Sequence, residues 1–483
     1  MSNAQGLRRH MSPMGAWAFA IGTSVGWGSL VVTANTYLAQ AGPAGSALGL
    51  ALGTLIMLIV GLNYSTLMQA YPEAGGAYAY TREVFGYDQG FLTAWFLAMT
   101  YLAVLWANAT SLPLFSRIFL GGVFRFGKLY TLFDYDVYLG EALLSAAAIV
   151  LTAVLLTRGQ RATHAVMIAL AWLFTAGIAV CFVAGMVKGR PMNPAYIPDA
   201  GALGQIVKIA VISPWAFIGF ESISHSAEEF DFERHRIRRV LIVAVLFTLL
   251  LYVMVTLLSV TAYPAKYGSW LEYIRDLDNL SGLEALPAFY AANAYLGGAG
   301  VTLLMLSLLA LVVTSLIGNT TALSRLFYAM ARDKLLHERF SRINDHGIPA
   351  DAVLLVAGLS VFIPLVGRTA IGWIVDVATI GATLIYGFVC ACAARFASKE
   401  GDVRGRRLGC AGVAIMVAFG AYILAPNLVS TGSMARETYF LFIAWSVLGF
   451  LFFRFILHRD KERRFGRPSS CGWRCWRWCC SCR

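Results

Sequence analysis

Residues 21–30 read IGTSVGWGSL, and residues 213–229 read SPWAFIGFESISHSAEE. Each run lies inside an apolar segment long enough to cross a bilayer, and each breaks that segment with glycine and hydroxyl residues. Hydrocarbon offers no partner to a free backbone N–H or C=O, so a span that unwinds must line a polar site inside the protein. Two such breaks, at corresponding places in the two halves of a chain, mark the substrate site of a secondary transporter.

The rest of the chain fits that frame. Of 483 residues, 58% are hydrophobic and only 13% charged, where a soluble domain carries about a quarter charged. Apolar stretches of about 20 residues predict twelve spans, near 13–40, 44–70, 89–115, 139–157, 162–187, 205–230, 237–262, 298–330, 350–367, 370–396, 407–426 and 437–457. The first is too long for a signal peptide and runs on into the multispanning pattern.

The formal net charge is +12, but its distribution argues against a nucleic-acid partner. With an even number of spans both termini share one side, and most Lys and Arg fall there. Arg234, Arg236, Arg238 and Arg239 form one cluster on that side, and Arg332, Lys334, Arg339 and Arg342 another. This is the positive-inside bias, so both termini are expected in the cytoplasm and the protein in the cytoplasmic (plasma) membrane.

Spans one to five and six to ten each open on a broken helix. This predicts a transporter core over 13–396, built of two inverted five-helix repeats at about 13–187 and 205–396, with the site between them. A cytoplasmic N-terminus (1–12) precedes it. Two plain helices (407–457) follow, facing lipid and available for contacts in a homo-oligomer. Gly45, Gly49 and Gly53 recur every four residues and suit close helix packing. Tyr71–Gly86 is too polar to span and too aromatic for a free loop, as an interfacial helix or a cytoplasmic gate would be. The 458–483 tail ends CGWRCWRWCCSCR. Cys471, Cys475, Cys479, Cys480 and Cys482 match no zinc spacing; palmitoylation is open, but a shifted reading frame or truncated end fits better.

Five signatures in order resemble the amino acid–polyamine–organocation (APC) transporters. Ile21, Gly22, Val25, Gly26 and Gly28 match the family's first-span glycine pattern, and Pro72, Gly75, Gly76 and Tyr78 its Pro-x-x-Gly-Gly-x-Tyr. Gly219, Phe220 and Glu221, followed by Ala227, Glu228 and Glu229, match its sixth-span break. SRLFYAMARDKLL (Ser324–Leu336) and Pro349 complete the set. The resemblance spans about residues 11–457. It implies an all-α polytopic membrane protein of about twelve helices, with a leucine-transporter-type 5+5 inverted repeat plus two extra helices. It also implies a permease moving amino acids or related amines by alternating access.

The expected substrate site comprises Thr23, Ser24, Gly26, Trp27 and Gly28 on the first break and Phe217, Ile218, Gly219, Phe220 and Glu221 on the second. Asn108 is a further candidate. Free N–H groups at the first break suit a carboxylate, and free carbonyls at the second suit an ammonium. Trp27 stands where the family keeps a small residue; it either narrows the pocket or packs against a neighbour. Glu221, ionisable at membrane depth, either takes up a coupling proton or holds the break. Trp106 and Asn319 are further selectivity candidates, or interhelical glue. Arg325 and Arg332 are expected to face the cytoplasm. No organic cofactor is expected; transport is either coupled to an ion, sodium or a proton, or an uncoupled exchange of two solutes. The resemblance places possible sodium ligands at Thr314 and Ser315, although such hydroxyls often bond to their own helix. Phe174 stands near the place where some proton-coupled members carry a lysine. A receptor that binds an amino acid and signals through a cytoplasmic partner is the alternative. The chain contains no HExxH, GxxxxGK[ST] or GxSxG motif, so an enzyme is not expected.

Overall fold

The computed structural model describes residues 7–198, 201–424 and 435–457. The tail cysteines from Cys471 to Cys482 lie outside these. The chain divides at Met434 into two units.

Among the described residues, ten helical stretches are long and apolar enough to cross a membrane. The first span is absent from that set because its break leaves two short helices, α1 (Pro13–Ser24) and α2 (Gly28–Thr33). The ninth is short, with α13 (Ala350–Ser360) running into a 3-10 turn to Val366. With these two the count is the twelve that hydropathy predicts. Ser12 caps α1, its hydroxyl accepting the Gly15 N–H at 3.1 Å, and Pro13 fills the first helical position, where a missing N–H is harmless.

The other helices of the first half are α3 (Ala39–Ala70), α4 (Ala77–Phe85), α5 (Tyr87–Ala109), α6 (Ser111–Phe119), α7 (Leu139–Arg158) and α8 (Gln160–Lys188). The second half opens with α9 (Ala202–Ile212), 3-10 turns over Ser213–Phe217 and Phe220–Glu229, α10 (Arg236–Thr261), the short α11 (Trp270–Arg275) and α12 (Pro287–Arg332). Beyond α13 come α14 (Arg368–Lys399) and α15 (Val403–Leu424). At 46 residues α12 is too long for one straight span; Gly297, at φ +60°, bends it where the predicted span begins. The second unit contains α16 (Arg436–Leu451).

Helix packing follows a reciprocal scheme. α1 packs on α10 as α9 packs on α3, α5 on α14 as α12 on α8, and α3 meets α10. Exchanging spans one to five for six to ten leaves this set of pairs unchanged. Gly49 and Gly53 make the α3–α9 approach possible: a Cβ on Gly49 would come within 2.5 Å of Ile209, and one on Gly53 within 1.6 Å of the Ser213 hydroxyl.

The side away from the N-terminus, here the far side, carries two local additions. Trp270, Tyr273, Ile274 and Leu277 pack on Ala34, Leu38 and Val260, capping the first span. Strands β1 (Lys128–Leu132) and β2 (Tyr135–Tyr138) form an antiparallel hairpin, a local departure from the all-helical pattern. Its turn residues Phe133 and Asp134 have φ of 49° and 61°, the sign a two-residue hairpin turn requires.

Candidate functional site

The two breaks meet. At the first, the Val25 N–H closes the last α1 turn on the Ile21 carbonyl at 2.8 Å, and the chain leaves the helix through Gly26 and Trp27. The Gly26 and Gly28 N–H groups have no partner among the described residues, while the Trp27 N–H points to Asn108 Oδ1 at 3.4 Å. At the second, Ile218 is extended and Gly219 has φ +110°. A Cβ on Gly219 would stand 2.8 Å from the Thr23 carbonyl oxygen. Glycine is therefore required at 219 both by its backbone angle and by contact with the other break. The Ile218 carbonyl likewise has no partner among the described residues.

Between the breaks lies a cavity of about 60 Å³, room for a few water molecules. Thr23, Ser24, Gly26, Trp27, Gly28, Asn108 and Ile218, all expected from sequence, line it. Unforeseen lining residues are Val104 and Ala107 on α5, Trp215, Tyr252 on α10, and Val375, Ala378 and Thr379 on α14. No charged side chain lines it among the described residues. Its polar groups are hydroxyls, one amide and unpaired backbone; the remainder is apolar.

Phe217, Gly219, Phe220 and Glu221 lie behind this surface. The buried Glu221 carboxylate accepts three hydrogen bonds: from the Tyr386 hydroxyl at 3.0 Å, the Gly219 N–H at 3.0 Å and the Tyr101 hydroxyl at 3.2 Å. Tyr101 continues to His225 Nε2 at 3.1 Å. These bonds tie the break to α5 and α14. Tyr101, Tyr386 and His225 carried no sequence signal beyond being polar residues within apolar spans.

Thr314 and Ser315 lie on α12 beside the first span. A Cβ on Gly22 would meet Thr314 Oγ1 at 3.2 Å. The Thr314 hydroxyl donates to the Ala310 carbonyl at 2.9 Å, and Ser315 Oγ accepts from Asn319 Nδ2 at 3.1 Å. Trp106 Nε1 donates to the Ser360 hydroxyl at 2.9 Å, linking α5 to α13.

A profile of the amino acid permease family matches residues 11–453. The chain belongs to that family. Among its relatives, a branched-chain amino acid permease of Lactococcus lactis is 25% identical over 72% of this chain and 73% of its own length. A second, from Bacillus subtilis, is 22% identical over 96% of each. A methylthioribose transporter of Bacillus subtilis is 24% identical over 71% of each. The permease is thus an integral membrane transporter.

On the N-terminal side the permease is sealed. Arg325, expected to face the cytoplasm, is instead buried and grips Glu229 at 2.7 and 3.3 Å. A guanidinium at this depth needs a carboxylate partner, and the end of the sixth span supplies it. The His10 and Met11 N–H groups bond the Glu229 carbonyl at 2.9 and 3.0 Å, strapping the N-terminal segment beneath the cavity. Glu228 pairs with Arg332 and accepts the Ala74 N–H, while Asp333 pairs with Arg82 and with the Tyr78 hydroxyl. The Tyr71–Gly86 segment is therefore part of this seal.

Proposed function

We propose that the permease is a secondary transporter of small neutral amino acids, working by alternating access between two five-helix repeats. The observation that carries this is the meeting of two helix breaks at a cavity with unpaired N–H groups on one wall, an unpaired carbonyl on the other and no charged side chain. A zwitterion satisfies both walls: its carboxylate at the Gly26 and Gly28 N–H groups, where the start of α2 adds a favourable dipole, and its ammonium at the Ile218 carbonyl. The apolar remainder suits an aliphatic side chain, and a cationic side chain would find no carboxylate there. The branched-chain permeases among the relatives support this class. The reciprocal helix packing supports the repeat reading, and the buried Glu229–Arg325 pair supports a state closed toward the N-terminal side. The basic clusters support a cytoplasmic orientation for that side, and the cytoplasmic membrane is the proposed location.

Sodium is the proposed coupling ion. Thr314 and Ser315 would hold it through their hydroxyl oxygens, close to the backbone of the first span at Gly22, and its charge would tie α12 to that span. Glu221 is assigned to holding the break. Its three donors link the break to α5 and α14 through the carboxylate.

The test is accumulation of labelled leucine, alanine, arginine and methylthioribose in proteoliposomes, with and without an inward sodium gradient. Sodium-dependent accumulation of leucine or alanine is expected. Accumulation of arginine or methylthioribose alone overturns the substrate class. Binding of leucine without accumulation overturns transport and makes the protein a receptor.

A further inference from the structure

Above the cavity, on its far side, lies a second chamber of about 20 Å³, with Thr110, Tyr135, Glu141, Ser145, Pro364 and Arg368 in its walls. The hairpin roofs it: the Tyr130 hydroxyl bonds the Leu365 carbonyl, and Thr369 bonds the Phe133 carbonyl at 3.0 Å. Arg368 stands between the two spaces. Its guanidinium carbon sits 4.6 Å above the Trp27 ring, which lines the cavity below. One of its nitrogens donates to the Ala107 carbonyl and the Thr110 hydroxyl, both at 3.0 Å. Trp27 also meets Phe115 edge-on, ring centres 6.2 Å apart.

The charges of this chamber are unevenly satisfied. Both Glu141 oxygens are taken by Arg117, each at 2.5 Å, so that carboxylate is neutralised. Arg368 has no carboxylate partner among the described residues; a carbonyl, a hydroxyl and an aromatic face are its only fixed contacts. In the same chamber, the fully buried Ser145 hydroxyl has no partner among the described residues. A guanidinium presents five donors in a planar fork suited to a carboxylate, and an unpaired buried hydroxyl is a standing cost that an incoming acceptor relieves.

We propose that this chamber is a docking site for the carboxylate of the incoming amino acid, with Arg368 and Ser145 as its donors, and that Trp27 beneath Arg368 is the lid it lifts. Binding of the carboxylate draws the guanidinium off the indole, which then swings aside and joins chamber to cavity. The inference rests on the amino acid reading of the cavity and adds to it a second contact for the same group.

The test uses the full-length protein in proteoliposomes, with leucine as substrate and leucinamide, acetate and methylthioribose as competitors. R368Q should raise the KM for leucine at least tenfold with kcat within about twofold. R368K, retaining the charge, should recover most of that loss, and S145A should raise KM about threefold. Leucinamide, lacking the carboxylate, should compete poorly with wild type, and its deficit relative to leucine should shrink in R368Q without vanishing, because the cavity's own carboxylate contacts remain. Acetate matching leucine as a competitor would reduce the site to a general anion site and overturn its role for substrate. An unchanged KM in R368Q, or a fall in kcat alone that R368K does not rescue, overturns the docking site while leaving the transport reading intact. Failure of wild type to accumulate any amino acid overturns both; transport of methylthioribose unaffected by R368Q would separate that case.

Discussion

The two helix breaks face the same difficulty, free backbone groups at membrane depth, and resolve it differently. The first leaves the Gly26 and Gly28 N–H groups open to the cavity, while the N–H of Trp27 between them donates one long bond to Asn108 Oδ1. The second is braced on its far face by three hydrogen bonds to Glu221, and further along by the Glu229–Arg325 pair. The first break leaves donors open to the cavity, while the second is braced from behind and turns the free Ile218 carbonyl toward it. A pocket between them can then be both polar and fixed without a charged residue in its wall.

That contrast predicts unequal consequences for nominally equal changes. The largest effect is expected from G219A. A side chain there is strained at φ +110° and strikes the Thr23 backbone, so the breaks must separate. Transport should fall below detection even when the variant reaches the membrane, measured as uptake per molecule of reconstituted protein. Next comes R325M, which leaves the buried Glu229 carboxylate with only the longer contacts to Gln160 Nε2 at 3.5 Å and His10 Nε2 at 3.6 Å. Removing one member of such a pair costs about 3–5 kcal/mol, so the melting temperature in detergent should fall by several degrees. E221Q is expected to be intermediate. The amide keeps the volume but brings a donor among donors, at about 1–3 kcal/mol, and uptake should drop roughly tenfold or more. The smallest effect belongs to G26A. Its new Cβ would meet only the tip of the Asn108 side chain, at 3.0 Å, and that tip can rotate, so uptake should stay within a few-fold of wild type. Equal losses in G26A and G219A would remove the distinction between the breaks.

Much of this was legible in the sequence, and the boundary is instructive. The breaks were readable because glycine and serine are anomalous within a span, and every break-lining residue of the first span was named from that anomaly. The wall formed by Tyr252, Val375, Ala378 and Thr379 was not. A helix apolar all round carries no periodic signal for which face turns inward, so its rotation is set by packing alone. The Glu221 brace was half legible. The carboxylate stood out as an ionisable group at depth, but Tyr101 and Tyr386 lie 120 and 165 residues away and are ordinary within apolar helices. Arg325 was misplaced for a related reason. It lies in the last turns of α12, next to a basic loop, and its burial depends on Glu229 coming from a different span. The hairpin could have been found, since TLFDYDVY alternates in the manner of paired strands, but its turn contains no glycine to announce it.

The most direct test asks whether the substrate occupies the space between the breaks. Thr379 lines the cavity opposite the first break, and T379C places a thiol there. Its reaction with a membrane-impermeant maleimide, measured over the background of the wild-type protein, should slow at least fivefold when leucine and sodium are present together. Labelling that is unchanged by a leucine concentration saturating for uptake would place the amino acid elsewhere and contradict the role given to the paired breaks.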